Sequence, residues 1–454
     1  MIIAKIKGGK MRVTKKVNRR DFLENSAFGL FGAVALGGKS LQTPEVKGEV
    51  QPAKIREYRT LGRTGFKVSD ISSGGPTDEG VLNALLDAGV NYIDTAESYG
   101  NGQSERTVGQ VLKKRDRKSF FVTTKLELNE VPGKKEEVTK EGILRRFRKS
   151  LERMQSEYAD CLMIHAPGDV ETVKSEAFHA AVAELKTEGR LKFTGISYHG
   201  SQDFVDTGVP MDKILNTAAE DGRFDVMLLA HNFLKEDNSE EVLKICQEKK
   251  VGTTLMKTNP VGNYLMIKAE IENLEKDGKE KPDWAVLALK RMREKYEKAE
   301  PFIKEYNLAD PVEIRKAAIR FCLNDPRVNS ICVTFDNFEA LDTYVRLSGT
   351  RLSPIDKKTL AAYAHAFGGF YCRHSCGLCE SRCPQKIPIN QVMRYNHYFE
   401  AQGREKYAME KYSRLDLKKE NPCQNCSGAC ESVCPYGVSI QALLMIAHRN
   451  LTWA

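Results

Sequence analysis

No apolar run in this 454-residue chain reaches the roughly 18–20 residues that a membrane span requires. No charge of one sign dominates: 70 lysines and arginines against 61 aspartates and glutamates leave a formal +9, mild for this length. Basic stretches such as "RRFRKSLER" at 145–153 alternate with apolar positions and read as solvated helix faces, so a nucleic-acid surface is not expected. No glycine-rich dinucleotide fingerprint follows the first strand pattern, which counts against an open doubly wound sheet. What remains, 41% hydrophobic and 29% charged, is ordinary globular material with room for two or three domains.

The N-terminus departs from that background. Residues 1–38 contain a basic segment, the pair Arg19 and Arg20 followed by Phe22 and Leu23, and then a small-and-apolar stretch ending near "AVA" at 33–35. That order is the order of a secretory signal, and "NRRDFL" resembles a twin-arginine export motif. Residues 1–10 add nothing to it, so Met11 could serve as the start. Export by that route carries proteins already folded and suits a protein whose cofactor is inserted in the cytoplasm. A periplasmic or cell-envelope location is therefore expected. Residues 39–57, polar with two prolines and no periodicity, read as a linker.

From about residue 58 a rhythm sets in. Short β-branched or apolar runs recur at 67–72, 90–94, 120–125, 160–165, 192–197, 225–230, 251–256 and 329–334. Between them apolar residues fall three and four apart. Ile143, Leu144, Phe147, Leu151 and Met154 make one stripe; Ile314, Ala317, Ala318, Phe321 and Cys322 make another. Strands each followed by a helix predict an α/β fold, a (β/α)₈ TIM barrel over 58–350. A charged insertion at 263–308 breaks the rhythm after the seventh strand, on the side where barrel active sites lie. It reads either as a lid or as a helical excursion without functional role.

Asp94, Lys125 and His165 stand at or beside the C-terminal ends of predicted strands, and Tyr99 lies in the loop after one, so the four converge on one barrel mouth. Reducing a carbonyl with hydride needs a proton for the developing alkoxide. A tyrosine of ordinary pKa, about 10, exchanges it poorly near neutrality, and a lysine cation beside it lowers that value. The stretch "LLDAGVNYIDTAESYGNGQSERTVGQVL" (85–112), with "LGRTGFKVS", "FVTTK", "LMIHAP" and "GRLKFTGISYHG", resembles the aldo/keto reductase family. The resemblance implies Tyr99 as general acid/base, Lys125 and Asp94 as its tuning pair, and His165 as the group that orients a small carbonyl or alcohol substrate. It also implies NAD(P), with Ser197 and Asn232 as cofactor-binding positions. Several positions depart from the family pattern. Tyr198 stands where an asparagine is usual, Leu228 where a glutamine is, and Asp336 after the eighth strand would repel a 2′-phosphate.

Twelve cysteines fall into two populations. Cys161, Cys246, Cys322 and Cys332 are scattered through predicted strands and helices and read as core. The other eight are clustered. Cys372, Cys376, Cys379 and Cys383 form C-x₃-C-x₂-C-x₃-C-P; Cys423, Cys426, Cys430 and Cys434 form C-x₂-C-x₃-C-x₃-C-P. Two-cluster bacterial ferredoxins use a run one residue shorter with the same ending, and their fourth cysteine ligates the other cluster. Disulfides or zinc are the alternatives. By the ferredoxin analogy, two [4Fe–4S] clusters are expected in a mainly helical, ferredoxin-like C-terminal domain at 366–454. Cys434 would join Cys372, Cys376 and Cys379; Cys383 would join Cys423, Cys426 and Cys430. Such a tail also resembles the ferredoxin-type C-termini of a subset of aldo/keto reductases and implies a redox protein partner. The competing expectation is a barrel that no longer turns over and serves as an electron-transfer or binding subunit.

Overall fold

Eight parallel strands close on themselves in the computed structural model, each hydrogen-bonded to the next. It describes residues 52–129, 135–200, 209–234, 237–261, 264–276, 278, 280–281, 283–306, 311–373, 376–402, 404–415, 417, 423 and 426–452. The export segment at 1–38 and most of the 39–57 linker lie outside the described residues. The barrel strands are β3 (Ile71–Gly74), β4 (Tyr92–Asp94), β5 (Phe121–Glu127), β6 (Ala159–His165), β7 (Leu191–Tyr198), β8 (Val226–Ala230), β9 (Gly252–Met256) and β10 (Ser330–Val333). Strand β10 pairs with both β9 and β3, which completes the ring. Among the described residues no helix is long and apolar enough to cross a membrane.

The first predicted strand, 67–72, is two strands. Its first half, β2 (Lys67–Ser69), pairs antiparallel with β1 (Tyr58–Thr60); only from Ile71 does the chain enter the barrel. Asp70 makes the division. Its buried carboxylate accepts hydrogen bonds from Ser348 Oγ at 2.6 Å and from the Gly349 amide at 2.8 Å, anchoring the chain between the two strands. The hairpin floors the barrel. Leu61 and Val68, both at 0% exposure, pack with Tyr92, Phe121, Cys161, Met163, Val226 and Leu228. Gly62, at φ +46°, lies so close to strand β9 that a Cβ there would sit 2.2 Å from the Gly252 nitrogen. Of the four thiols read as core, Cys161, Cys246 and Cys322 are buried and Cys332 is only partly so.

The insertion after β9 forms two helices, Tyr264–Lys276 and Asp283–Glu305, and they bracket the C-terminal tail. Ile271, Leu274, Leu289 and Met292 share an apolar cluster with Val392, Tyr395, Leu443 and Ala447. Lys295 donates to the Gly437 carbonyl at 2.5 Å and to Ser439 Oγ at 2.9 Å. Farther along the second helix, Tyr296, Ala299 and Ile303 pack with Ile314, Leu360 and Phe367. The insertion therefore joins barrel to tail.

The tail is helical: Ile389–Gln402, Glu405–Ser413 and Ile440–Leu451 are its longer helices. Residues 389–415 read as one helix from the sequence but divide in two. The break falls between Gln402 and Glu405, where the sequence carries Gly403, the weakest helix former of that stretch. The tail reaches the C-terminal mouth of the barrel directly. Lys257, just after β9, donates to Tyr398 Oη at 2.6 Å, and Arg373 Nε donates to the Leu234 carbonyl at 3.1 Å.

Candidate active site

Parallel strands end together, so side chains at their C-terminal ends must converge. Asp94 ends β4, Lys125 lies near the end of β5, and His165 ends β6. The turn after β4 carries Tyr99 back over the same mouth. Lys125 is fully buried and spends its three N–H bonds there: on Asp94 Oδ1 at 2.5 Å, the Thr95 carbonyl at 2.8 Å and Tyr99 Oη at 3.2 Å. The ammonium also sits 4.5 Å from the centre of the Tyr99 ring. His165 meets that ring edge-on, centroids 5.7 Å apart, with Nδ1 3.7 Å from Glu127 Oε1.

Burial opposes the Lys125 charge, but Asp94 and Tyr99 outweigh it and hold the ammonium protonated above the usual lysine range. Burial also raises Asp94, against the pull of Lys125; its Oδ2 is buried without a hydrogen-bond partner. Tyr99 departs from the sequence-based expectation. The surrounding protein raises it above the ordinary phenol value, and Lys125 only partly offsets that rise. The lysine thus limits an upward shift instead of producing a downward one. Tyr99 is consequently a protonated acid across the neutral range.

Ser197 is buried near the end of β7. Asn232 is buried too, but its side chain is already committed: Nδ2 donates to the Lys257 carbonyl at 2.9 Å, and Oδ1 accepts from the Leu234 amide at 3.0 Å. It ties together the loops after β8 and β9. Tyr198 is fully buried in the barrel's outer core and donates to the Val209 carbonyl at 2.9 Å. His231, hydrogen-bonded to Ser239 Oγ at 2.7 Å, is pushed down to about 4 by burial and is neutral at pH 7.

One supporting residue escaped the sequence pattern. Arg146 belongs to the basic run taken as a solvated face, yet it forms a two-pronged ion pair with Glu97 in the turn carrying Tyr99. It also donates to the carbonyls of Glu127 at 2.8 Å and Glu137 at 3.0 Å. It stands beside the buried Phe147 and three residues from buried Ile143, at the edge of the apolar stripe. That placement was the available signal.

All eight tail cysteines are free thiols, and they gather across the two runs. A cleft of about 310 Å³, partly open to solvent, is lined by Cys372, Cys376, Cys379 and Cys434. Cys423 lies within electrostatic reach of Cys426, Cys430 and Cys383, and Cys430 within reach of Cys426 and Cys383. Burial, then neighbouring thiols and acids, pushes Cys372, Cys423 and Cys430 up to about 12. Without a cation these sulfurs hold their protons, and metal binding would release them. Backbone amides already point at sulfur: Ile387 to Cys383 at 3.4 Å, Val438 to Cys434 at 3.5 Å and Gly428 to Cys426 at 3.4 Å. The two runs repeat each other's support. Glu380 accepts from the Asn390 amide at 2.6 Å, as Glu431 does from that of Gln441 at 2.9 Å. Among the described residues no three of His, Cys, Asp or Glu are grouped as a metal-ion site. A four-iron cluster makes a different demand, one cysteine thiolate at each of four irons.

The chain was compared with known families, proteins and solved structures. Residues 76–364 match the model of the aldo/keto reductase family. A Schizosaccharomyces pombe protein described as a voltage-gated potassium channel subunit beta is 31% identical over 166 residues, 32% of this chain and 46% of the relative. One so described from Oryza sativa subsp. japonica is 32% identical over 136 residues, 27% of this chain and 41% of the relative. The chain thus spans less than half the length of these relatives. Among solved structures, a Klebsiella pneumoniae aldo-keto reductase in complex with NADPH is 17% identical. It covers 68% of this chain and 96% of its own at a TM-score of 0.47. A holo-form aldo-keto reductase from Bacillus halodurans is 21% identical, covering 67% and 95%, also at 0.47. With the family model matched over well more than half its length, the chain belongs to the aldo/keto reductase family.

Proposed function

We propose that this protein is an exported oxidoreductase that performs carbonyl/alcohol chemistry in its barrel and exchanges electrons through its tail. The observation that carries the catalytic half is the buried Lys125, hydrogen-bonded at once to Asp94 and to the Tyr99 hydroxyl. In the reductive direction Tyr99 gives its proton to the substrate oxygen, Lys125 stabilises the tyrosinate left behind, and His165 orients the carbonyl. In the oxidative direction the tyrosinate takes the proton back. Asp94 fixes Lys125 and keeps it charged. A bound nicotinamide would supply or accept the hydride, and two [4Fe–4S] clusters would carry single electrons. Buried Ser197 suits the first, and the two cysteine groups, each with amides aimed at sulfur, suit the second. The electron partner would be another redox protein.

Tyr99→Phe removes only the proton donor, so carbonyl reduction should fall by roughly 10²–10⁴-fold with fold and iron content unchanged. Near-normal turnover would mean that another group is the acid. Lys125→Met removes the one influence restraining the phenol's upward shift. The alkaline limb of alcohol oxidation, where tyrosinate is the base, should move to higher pH. A limb that stays in place would dissociate Lys125 from the tyrosine.

The crossed cysteine assignment has its own signature. The intact protein should contain about eight irons. Changing Cys372 and Cys434 together to serine should remove no more iron than either change alone, because both serve one cluster. Changing Cys372 and Cys383 together should remove nearly all. The opposite pattern would assign each run to its own cluster, and stoichiometric zinc would end the iron–sulfur proposal. For the export proposal, replacing Arg19 and Arg20 with lysine should leave the protein in the cytoplasm; unchanged localisation on fractionation would refute it.

A further inference from the structure

Between the barrel mouth and the tail lies a second cleft, of about 680 Å³ when the open solvent at its mouth is counted. It runs from Pro260 after strand β9, past the end of helix Pro354–Phe367, to the helices Ile389–Gln402 and Ile440–Leu451. None of the catalytic groups lines it. About half of its wall is apolar, contributed by Phe367, Phe370, Met393, Leu443 and Ile446; Tyr371, Arg394, Asn396, His397 and Glu400 make much of the polar half.

One charged group in this lining has no carboxylate paired with it among the described residues, although Cys372, a proposed cluster thiolate, lies within its electrostatic reach. Arg394 is 4% exposed, and its Nε is buried with no hydrogen-bond partner. Its Nη2 reaches the Tyr371 hydroxyl at 3.4 Å, and its charge is felt chiefly by the phenols of Tyr371 and Tyr398 and by Cys372; no carboxylate is among these. The other polar groups of the cleft do not supply a dependable negative charge. His397 is kept neutral, by burial first and then by Arg394, Lys257 and Arg315. Burial pushes Glu400 up to about 7, and it accepts a hydrogen bond from Asn450 at 3.0 Å. A buried guanidinium donor left unpaired is costly, and a carboxylate matches its planar fork.

We propose that this cleft binds a small organic acid, its carboxylate on Arg394 and Tyr371 and its apolar body against Phe367, Met393, Leu443 and Ile446. A bare inorganic oxyanion would use the guanidinium but leave those walls uncovered. The site lies against Cys372 and beside the loop after β9, so its occupant would touch both the barrel and the tail.

The test is calorimetric titration of the full-length protein, as purified, with benzoate and separately with inorganic phosphate. Benzoate should bind saturably, and at least about tenfold more tightly than phosphate. Arg394→Gln should weaken it by about tenfold or more, the value of a charge-assisted hydrogen bond. Ile446→Phe, which fills the apolar half and leaves every charge in place, should weaken it comparably. It serves as the deciding variant if Arg394→Gln does not fold. Tyr99→Phe should leave benzoate binding unchanged. Absence of saturable benzoate binding overturns the proposal. So does binding that survives Arg394→Gln and Ile446→Phe but is lost with Tyr99→Phe, which would put the acid in the barrel mouth. Phosphate binding as tightly as benzoate overturns the organic-acid class. Iron measured on the same sample keeps this outcome separate from the cluster proposal, which fails on iron and not on benzoate.

Discussion

Thiols of the two cysteine runs meet in the tail instead of staying with their own run. Cys434 stands with Cys372, Cys376 and Cys379, and Cys383 stands among Cys423, Cys426 and Cys430. Under the proposed crossed assignment, neither cluster could be completed until both runs had folded together. The helices between and after the runs supply the tail's apolar filling, and the 263–308 insertion supplies the surface on which it rests. Ion pairs and hydrogen bonds at that contact, such as Arg291 with Glu431 and Lys295 with Gly437, set its register. The tail is held both by this insertion and by direct contacts to the barrel loops after β8 and β9.

Electrostatics links the catalytic groups as topology links the thiols. Lys125 is a buried charge, tolerable only because Asp94 and the Thr95 carbonyl accept from it. Removing it would leave Asp94 alone in the interior, a change that costs about 3–5 kcal/mol in comparable buried pairs unless the carboxylate takes up a proton. Asp94 is already shifted toward protonation, which softens that loss. The turn bearing Tyr99 is held from outside by Arg146 and Glu97, so the acid is positioned by a second ion pair nearer the surface. The tail contacts the loops after β8 and β9, close to this mouth but clear of the catalytic groups.

The barrel was legible in the sequence because strands alternate with helices, and the meeting of Asp94, Tyr99, Lys125 and His165 because strand ends converge; their proposed roles came from the family resemblance. The floor hairpin was not legible, since 67–72 is uniformly strand-like and only the remote partners of Asp70, Ser348 and Gly349, divide it. Arg146 and Arg394 were missed for a related reason. A basic residue on an amphipathic helix looks solvated until the neighbouring element that buries it is known. Asn232 was singled out by family position, yet its amide is spent on two backbone groups that no local pattern reveals. The direction of the Tyr99 shift depends on how far burial outweighs a lysine, and residue type alone cannot supply that balance.

The central claim is that barrel and tail share electrons. Reducing one carbonyl to an alcohol consumes two electrons and two protons; two clusters would supply one electron each to a bound nicotinamide, which would pass the pair on as hydride. The direct measurement is anaerobic: reduce the purified protein with dithionite, remove the excess, add an aldehyde that the enzyme turns over, and follow the visible absorption and the paramagnetic signal of the clusters. The account predicts that the cluster signals return to the oxidised state as alcohol forms, about one alcohol per two clusters, and that Tyr99→Phe prevents both. Alcohol formation that requires added NADPH, while the clusters stay reduced, would contradict it.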